Sequence, residues 1–175
     1  LGILDLQASS PTFNSTVTVQ SGGVMRFATS VNGTKTFNGA VTIDNGGSLL
    51  ASQATTVNFN ADVTNNGTWN ETAAVVMGFA GHLTNNGTAW TASTGVHTFS
   101  GSGKNISGTL AVVIPSVNVT GTCTNVNTLT VATALAGGGT LTNGNGVTAA
   151  VLNIGAVAAS LTLANLNAWP QRCHQ

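Results

Sequence analysis

Phe13–Val19 reads FNSTVTV, Phe37–Ile43 FNGAVTI, Phe59–Asn65 FNADVTN, Phe79–Asn85 FAGHLTN and Phe99–Asn105 FSGSGKN. The phenylalanines that open these phrases lie 24, 22, 20 and 20 residues apart. A phrase recurring at a near-constant period marks a chain built by stacking similar turns. Three further copies follow without the aromatic residue: VTGTCTN from Val119, GGGTLTN from Gly137 and VAASLTL from Val157. The reading therefore expects about eight rungs.

Within the phrase, apolar and polar positions alternate with a period of two, which is the periodicity of a strand. Phe13, Phe37, Phe59, Phe79 and Phe99 form an expected inward column, together with a small residue two places on and a Val or Leu four places on. Thr18, Thr42, Thr64, Thr84, Thr124, Thr142 and Thr162 form an expected outward column, with Lys104 as its exception. Threonine, β-branched with a polar tip, suits an exposed strand position. Corners such as Ser21-Gly22-Gly23, Asn45-Gly46-Gly47, Asn65-Asn66-Gly67 and Asn85-Asn86-Gly87 separate the strands, and Gly and Asn tolerate the positive φ of tight turns. Asparagines one period apart, such as Asn65, Asn85, Asn105 and Asn125, are placed to bond amide to amide along a stack.

No segment carries a charged or polar stripe at helical spacing. The fold expected is all-β, a parallel β-solenoid with a repeat of 20–24 residues. A β-sandwich also uses period-two strands and Asn-Gly corners, but has no reason to keep one residue type at one phase through eight copies. At about 4.8 Å per rung the rod would be on the order of 35–40 Å long. The expected organisation is an N-terminal strand or assembly arm over 1–12, the solenoid over 13–168 and a tail over 169–175. Leu1 is neither an initiator methionine nor the start of a signal peptide, which suggests a processed or trimmed chain.

Composition narrows function. Only 4 Lys+Arg and 4 Asp+Glu occur in 175 residues, tyrosine is absent, and the net charge is zero. Ordinary domains carry about 25% charged residues. Nothing here supplies the basic footprint that nucleic acid needs. No apolar run reaches the roughly 18 residues of a membrane span. A weakly charged surface favours association.

Catalytic chemistry has few candidates. Asp62 and His82 share one outward phase of adjacent copies, about 5 Å apart for stacked rungs, as a proton-transfer dyad, half a metal site or a plain surface contact. Asp44 abuts an NGG corner, and His97 and His174 have no evident partners. A polysaccharide-cleaving β-helix would need several acidic or basic residues on one face, and the chain is too poor in charge to furnish them. The expectation is no enzyme, no cofactor and no metal. Trp69 and Trp90 fall just after the two Asn-Asn-Gly-Thr corners, as an edge for sugar rings or a subunit contact, or as core packing. Cys123 takes an inward phase and Cys173 lies in the tail; a disulfide between them, free thiols and an intersubunit bridge all remain open. At the fourth and sixth places of the phrase Thr-x-Thr occurs in only three copies (Thr16/Thr18, Thr122/Thr124 and Thr140/Thr142), which is too interrupted for a regular ice-binding array. Asn-x-Ser/Thr occurs seven times, little more than this composition yields by chance.

FNGAVTIDNGGSL, VTNNGTW, LTNNGTAW and GTLTNGNG resemble the degenerate repeats of bacterial secreted β-strand-repeat proteins, including adhesin and autotransporter-passenger stalks, over most of residues 13–165. The resemblance implies an extracellular or cell-surface structural role and no catalytic residue. No amphipathic capping helix is evident, so rungs of one subunit are expected to stack on, or exchange a strand with, the next. The leading expectation is a self-assembling filament, stalk or matrix subunit. The alternative is a monomeric adhesin binding cell-surface glycans through Trp69 and Trp90, with ice binding less favoured.

Overall fold

The computed structural model describes residues 2–7, 10–27, 33–155 and 166–168, the last as backbone only. The first turn is β1 (Ile3–Asp5), β2 (Thr12–Phe13) and β3 (Val17–Val19). The second is β4 (Val24–Phe27), β5 (Thr34–Phe37) and β6 (Val41–Ile43), and the third is β7 (Ser48–Ala51), β8 (Thr56–Phe59) and β9 (Val63–Asn65). The fourth is β10 (Thr68–Glu71), β11 (Val76–Phe79) and β12 (Leu83–Asn85), and the fifth is β13 (Ala89–Thr91), β14 (Val96–Phe99) and β15 (Lys104–Ser107). Then come β16 (Val112–Val119), β17 (Thr122–Asn125), β18 (Thr128–Ala136), β19 (Thr140–Asn143), β20 (Val151–Ile154) and β21 (Leu166–Ala168). Each strand pairs in parallel with its counterpart one turn away, giving one five-stranded and two eight-stranded sheets. This is a parallel β-solenoid with three faces, numbered here in chain order within a turn. β1 is the first strand of the first face, so the turn begins upstream of Phe13, and Ile3–Asp5 pair with Val24–Arg26.

The core is a set of columns. Phe13, Phe37, Phe59, Phe79 and Phe99 stack ring on ring, with centroids 4.9, 5.2, 5.4 and 5.3 Å apart and planes within 18° of parallel. Phe13, at the end of the stack, is half-buried, and the other four are buried. The threonines at 42, 64, 84, 124 and 142 point outward and are half-buried, and Thr18 is exposed.

Three expectations need revision. The phrase is not one strand: β5 ends at Phe37, β6 begins at Val41, and Gly39 lies in the corner between. A Cβ on Gly39 would sit 2.3 Å from the Ser15 carbonyl carbon, and one on Gly81 at 2.3 Å from that of Ala61. The small column therefore lets corners stack closely. Second, no non-glycine residue described has positive φ. Gly22 and Gly46 supply it at the SGG and NGG corners, whereas the asparagines are present for their amides. Third, the strand beside β19 is Leu166–Ala168, which sets Asn167 against Thr142. Thr162 lies outside the described residues, and that place in the column belongs to Asn167.

The turns slip where the aromatic column ends. In β15, Ile106 pairs with Leu83 on one side and with Asn125 on the other, while Lys104 pairs with Cys123. Ser107, not Lys104, sits beside Thr84, with hydroxyls 3.1 Å apart. A slip of two residues keeps every side chain on its own side of the sheet, which a slip of one would not. Gly103 and Gly108 supply positive φ around the displaced strand. On the first face the ladder stops at β13. There β16 and β18 run on through the corner into the second face, with a register shift between Ile114 and Ser116.

Phe59→Ala removes a ring stacked on both sides and is expected to cost about 3–5 kcal/mol. Thr64→Ala on the outward column should stay within about 0.5 kcal/mol. Equilibrium denaturant unfolding of the two variants checks the inward and outward assignment.

Candidate functional site

Lys35 and Glu71, with His97, lie inside, on columns that the phrase alone does not reveal. The residue two places before Phe37, Phe59, Phe79 and Phe99 faces inward with it, as Val117 does before Val119, so Lys35, Val57, Met77, His97 and Val117 form one buried column of the second face. β10 likewise turns both Trp69 and Glu71 inward. Glu71 and His97 are fully buried at the side chain and 3.0 Å apart, Oε1 to Nε2.

Glu71 is the hub. Its Oε1 accepts from Trp69 Nε1 at 2.7 Å and faces His97 Nε2, and its Oε2 accepts from Ser93 N at 3.0 Å and Ser93 Oγ at 2.9 Å. The Ser93 hydroxyl in turn accepts from Val75 N at 3.0 Å and Gly95 N at 3.3 Å. His97 Nδ1 lies 2.9 Å from the Gly95 carbonyl. Each ring nitrogen thus faces an oxygen that only accepts, an arrangement that the imidazolium satisfies with two donated bonds. Burial by itself would raise the Glu71 pKa; the His97 bond and charge, with the Trp69 and Ser93 bonds, outweigh it and hold the carboxyl below its ordinary value.

Ser, His and Glu invite comparison with a hydrolytic triad, but the order is wrong. A triad needs the imidazole between hydroxyl and carboxylate, and here the carboxylate lies between the other two, with all three shut inside the solenoid. The cluster is a buried polar staple joining the fourth turn to the fifth. Lys35, 2% exposed, is held by the Gly33 carbonyl at 3.2 Å and Thr55 Oγ1 at 3.1 Å, and burial draws its pKa down.

The expected aromatic edge changes character. Trp69 is fully buried, with its ring 4.8 Å from Trp90, 5.8 Å from Phe59 and 6.2 Å from Phe79. No ligand reaches its face. Trp90 is half-buried, with one face on Trp69 and Nε1 donating to the Val113 carbonyl at 3.1 Å. It bridges the place where the first-face ladder stops, so the pair packs the core and spans the slip.

Asp62 and His82 do not meet as a dyad. Asp62 Oδ1 accepts from the His82 backbone amide at 2.9 Å, and His82 Nδ1 accepts from the Asn105 amide at 3.1 Å. Each caps the corner of the next turn. Asp44 accepts through its carbonyl from Gly47 N at 2.8 Å, closing the NGG corner. Among the described residues, no group of three His, Cys, Asp or Glu is placed to hold a metal, and no helix is long and apolar enough to cross a membrane. Cys123 is a buried thiol whose pKa burial pushes up to about 12. Cys173 and His174, and hence the expected Cys123–Cys173 pairing, lie outside the described residues.

The asparagines form two kinds of ladder. Asn65 Nδ2 donates to Asn85 Oδ1 at 2.8 Å and Asn125 Nδ2 to Asn143 Oδ1 at 2.7 Å, with Asn65, Asn85 and Asn125 fully buried. Asn85 turns its amide onto the Leu110 and Ala111 carbonyls where the turns slip, so Asn105 is not a rung of that ladder. Asn60, Asn38 and Asn14 make an exposed ladder with both bonds at 2.7 Å.

No protein-family model, curated protein or solved structure matches the chain. Its architecture and surfaces must therefore carry the functional argument.

Because the folded-state pKa of Glu71 is depressed, its contribution to stability is full above the unfolded value of about 4.3 and is lost as pH falls through the folded one. Glu71→Gln removes the carboxylate on which the buried cluster closes and is expected to cost about 3–5 kcal/mol at pH 7. Urea unfolding across pH 7 to 3 should show the gap between wild type and variant narrowing below about pH 4. A pH-independent gap would contradict the ionised pair.

Proposed function

We propose that this chain is a structural subunit of an extracellular filament, stalk or matrix, joined to its neighbours through the ends of the solenoid. The observation that carries this is the first turn. β1, β2 and β3 are each the outermost strand of their sheet, and an outermost strand presents a row of backbone groups ready to pair with another chain. Beside them Ile3 is 59% and Leu4 46% exposed, and a groove of about 450 Å³ opens between β1 and β3, lined by Leu4, Val17 and Met25 among others. An apolar, strand-edged end on a nearly uncharged body favours stacking on another copy. The resemblance of the repeats to secreted bacterial stalk proteins supports a cell-surface setting, with adhesion as a role of the assembled rod.

Sedimentation velocity and negative-stain imaging at micromolar concentration test this. The expected outcome is a series of end-joined oligomers; a stable monomer at neutral pH contradicts it.

A second reading rests on the second face. Its outward positions run Thr34/Thr36, Thr56/Asn58, Val76/Gly78, Val96/Thr98 and Ser116/Asn118, half of them hydroxyl-bearing and none of them charged. An uncharged face favours adherence to an ordered surface such as ice more than the third face does, where Asp62 and His82 interrupt. Thermal hysteresis in the wild type, abolished by Thr56→Lys, is the expected outcome; ice growth unaffected by the wild type rejects it.

A further inference from the structure

We propose that the joining contact is head to tail and specific: β1 of one copy pairs in parallel beside β20 of another, continuing the first face across the junction. This rests on the assembly reading above and names its interface.

The register on the page defines the fit. Leu4 pairs with Met25, Met25 with Leu49, Leu49 with Trp69 and Trp69 with Trp90, all on the inward side of the first face. Beyond the slip, Leu129 is buried and pairs with Leu152. Residues 112–114, 128–131 and 151–154 take the place in their turns that the first-face strands hold below. Setting β1 beside β20 in the same phase brings Leu4 against Leu152, Ile3 against Val151 and Asp5 against Asn153. No residue is forced from inside to outside.

The side chains at the two ends suit each other. Leu152 is half-buried at one end and Leu4 is 46% exposed at the other, each the outermost member of its column among the described residues. The groove beside Leu4 and Met25 lies where a leucine from the added turn would go. On the outward side, Ile3 is 59% and Val151 47% exposed, and the same outward positions in between include Val24, Ser48, Thr68, Ala89 and Thr128. Two exposed β-branched apolar residues at opposite ends would become cross-strand neighbours, a favourable pair on a sheet. Asp5 is already matched by Arg26 at 2.6 Å, and Asn153 would bring an amide, not a second charge, to its other side. The occupant is therefore a second copy of this chain, presenting its opposite end.

Neighbouring strands lie about 4.8 Å apart, inside the roughly 4.4–6.8 Å Cα separation that a disulfide bridges. The test uses the full chain carrying Cys173→Ser, with Ile3→Cys and Val151→Cys made singly and together. Circular dichroism confirms that each variant folds. The expected result under mild oxidation is a covalent dimer when the two single variants are mixed, none from either alone, and a ladder of multimers from the double variant. Dimers from Ile3→Cys alone would overturn the proposal in favour of a head-to-head contact. Sedimentation that shows oligomers while no 3–151 bond forms overturns this interface and leaves the assembly reading standing. A wild-type chain that stays monomeric overturns both.

Discussion

The structure depends on one constraint: each turn must sit on the previous one at the spacing of paired strands. Backbone bonds on all three faces run to the neighbouring turns, as in Val41 N to the Asp62 carbonyl and Val63 N to the His82 carbonyl, both within 2.9 Å. A side chain therefore finds its main partner one turn away, at nearly the same place in the repeat. Like stacks on like, phenylalanine on phenylalanine and asparagine on asparagine. The same spacing rules out a Cβ at corners such as Gly67, where one would fall 2.3 Å from the Gly47 carbonyl oxygen.

A closed column has no water, so any polar group admitted to it must be matched inside. The buried asparagines meet this with ladder bonds and by accepting from corner amides, as Asn65 Oδ1 does from Gly67 N at 3.1 Å. The Glu71 staple meets it with a carboxylate that accepts from an indole, an imidazole, a hydroxyl and a backbone amide. Such a cluster fixes the alignment of the fourth turn on the fifth more than it adds net stability, because desolvating the charges offsets much of their attraction. Its place is telling. Trp90 packs on Trp69 beside it, and the slip in β15 and the break in the first-face ladder come directly afterwards.

Much of this was legible in the chain. The phenylalanine period gave the solenoid, the inward column and the length of the turn, since an unbroken stack of one large side chain leaves an unmistakable rhythm. The NNG corners announced amide bonding along the rod. Less legible was anything set by the turn above. The phrase looks continuous, so the corner at Gly39 is hidden until two turns are stacked. The slip at β15 is hidden for the same reason, because FSGSGKN aligns by composition while Ile106, three residues past Gly103, takes the inward place. Glu71 and His97 were readable by parity, two places after Trp69 and two before Phe99. They escaped notice because a charged residue in a strand is ordinarily assigned to the surface. For Trp69 the sequence left a ligand edge, a subunit contact and core packing open, and the column decides for packing against Phe59, Phe79 and Trp90.

In the proposed assembly, the stacking rule that organises the interior also makes the end of the rod a template for another rod. In that assembly the axis along which turns stack and the axis along which copies join are one. X-ray fibre diffraction from aligned assemblies tests this most directly. The account predicts a reflection near about 4.8 Å on the meridian, parallel to the filament axis. The same spacing on the equator, or filaments without an oriented 4.8 Å reflection, would contradict it.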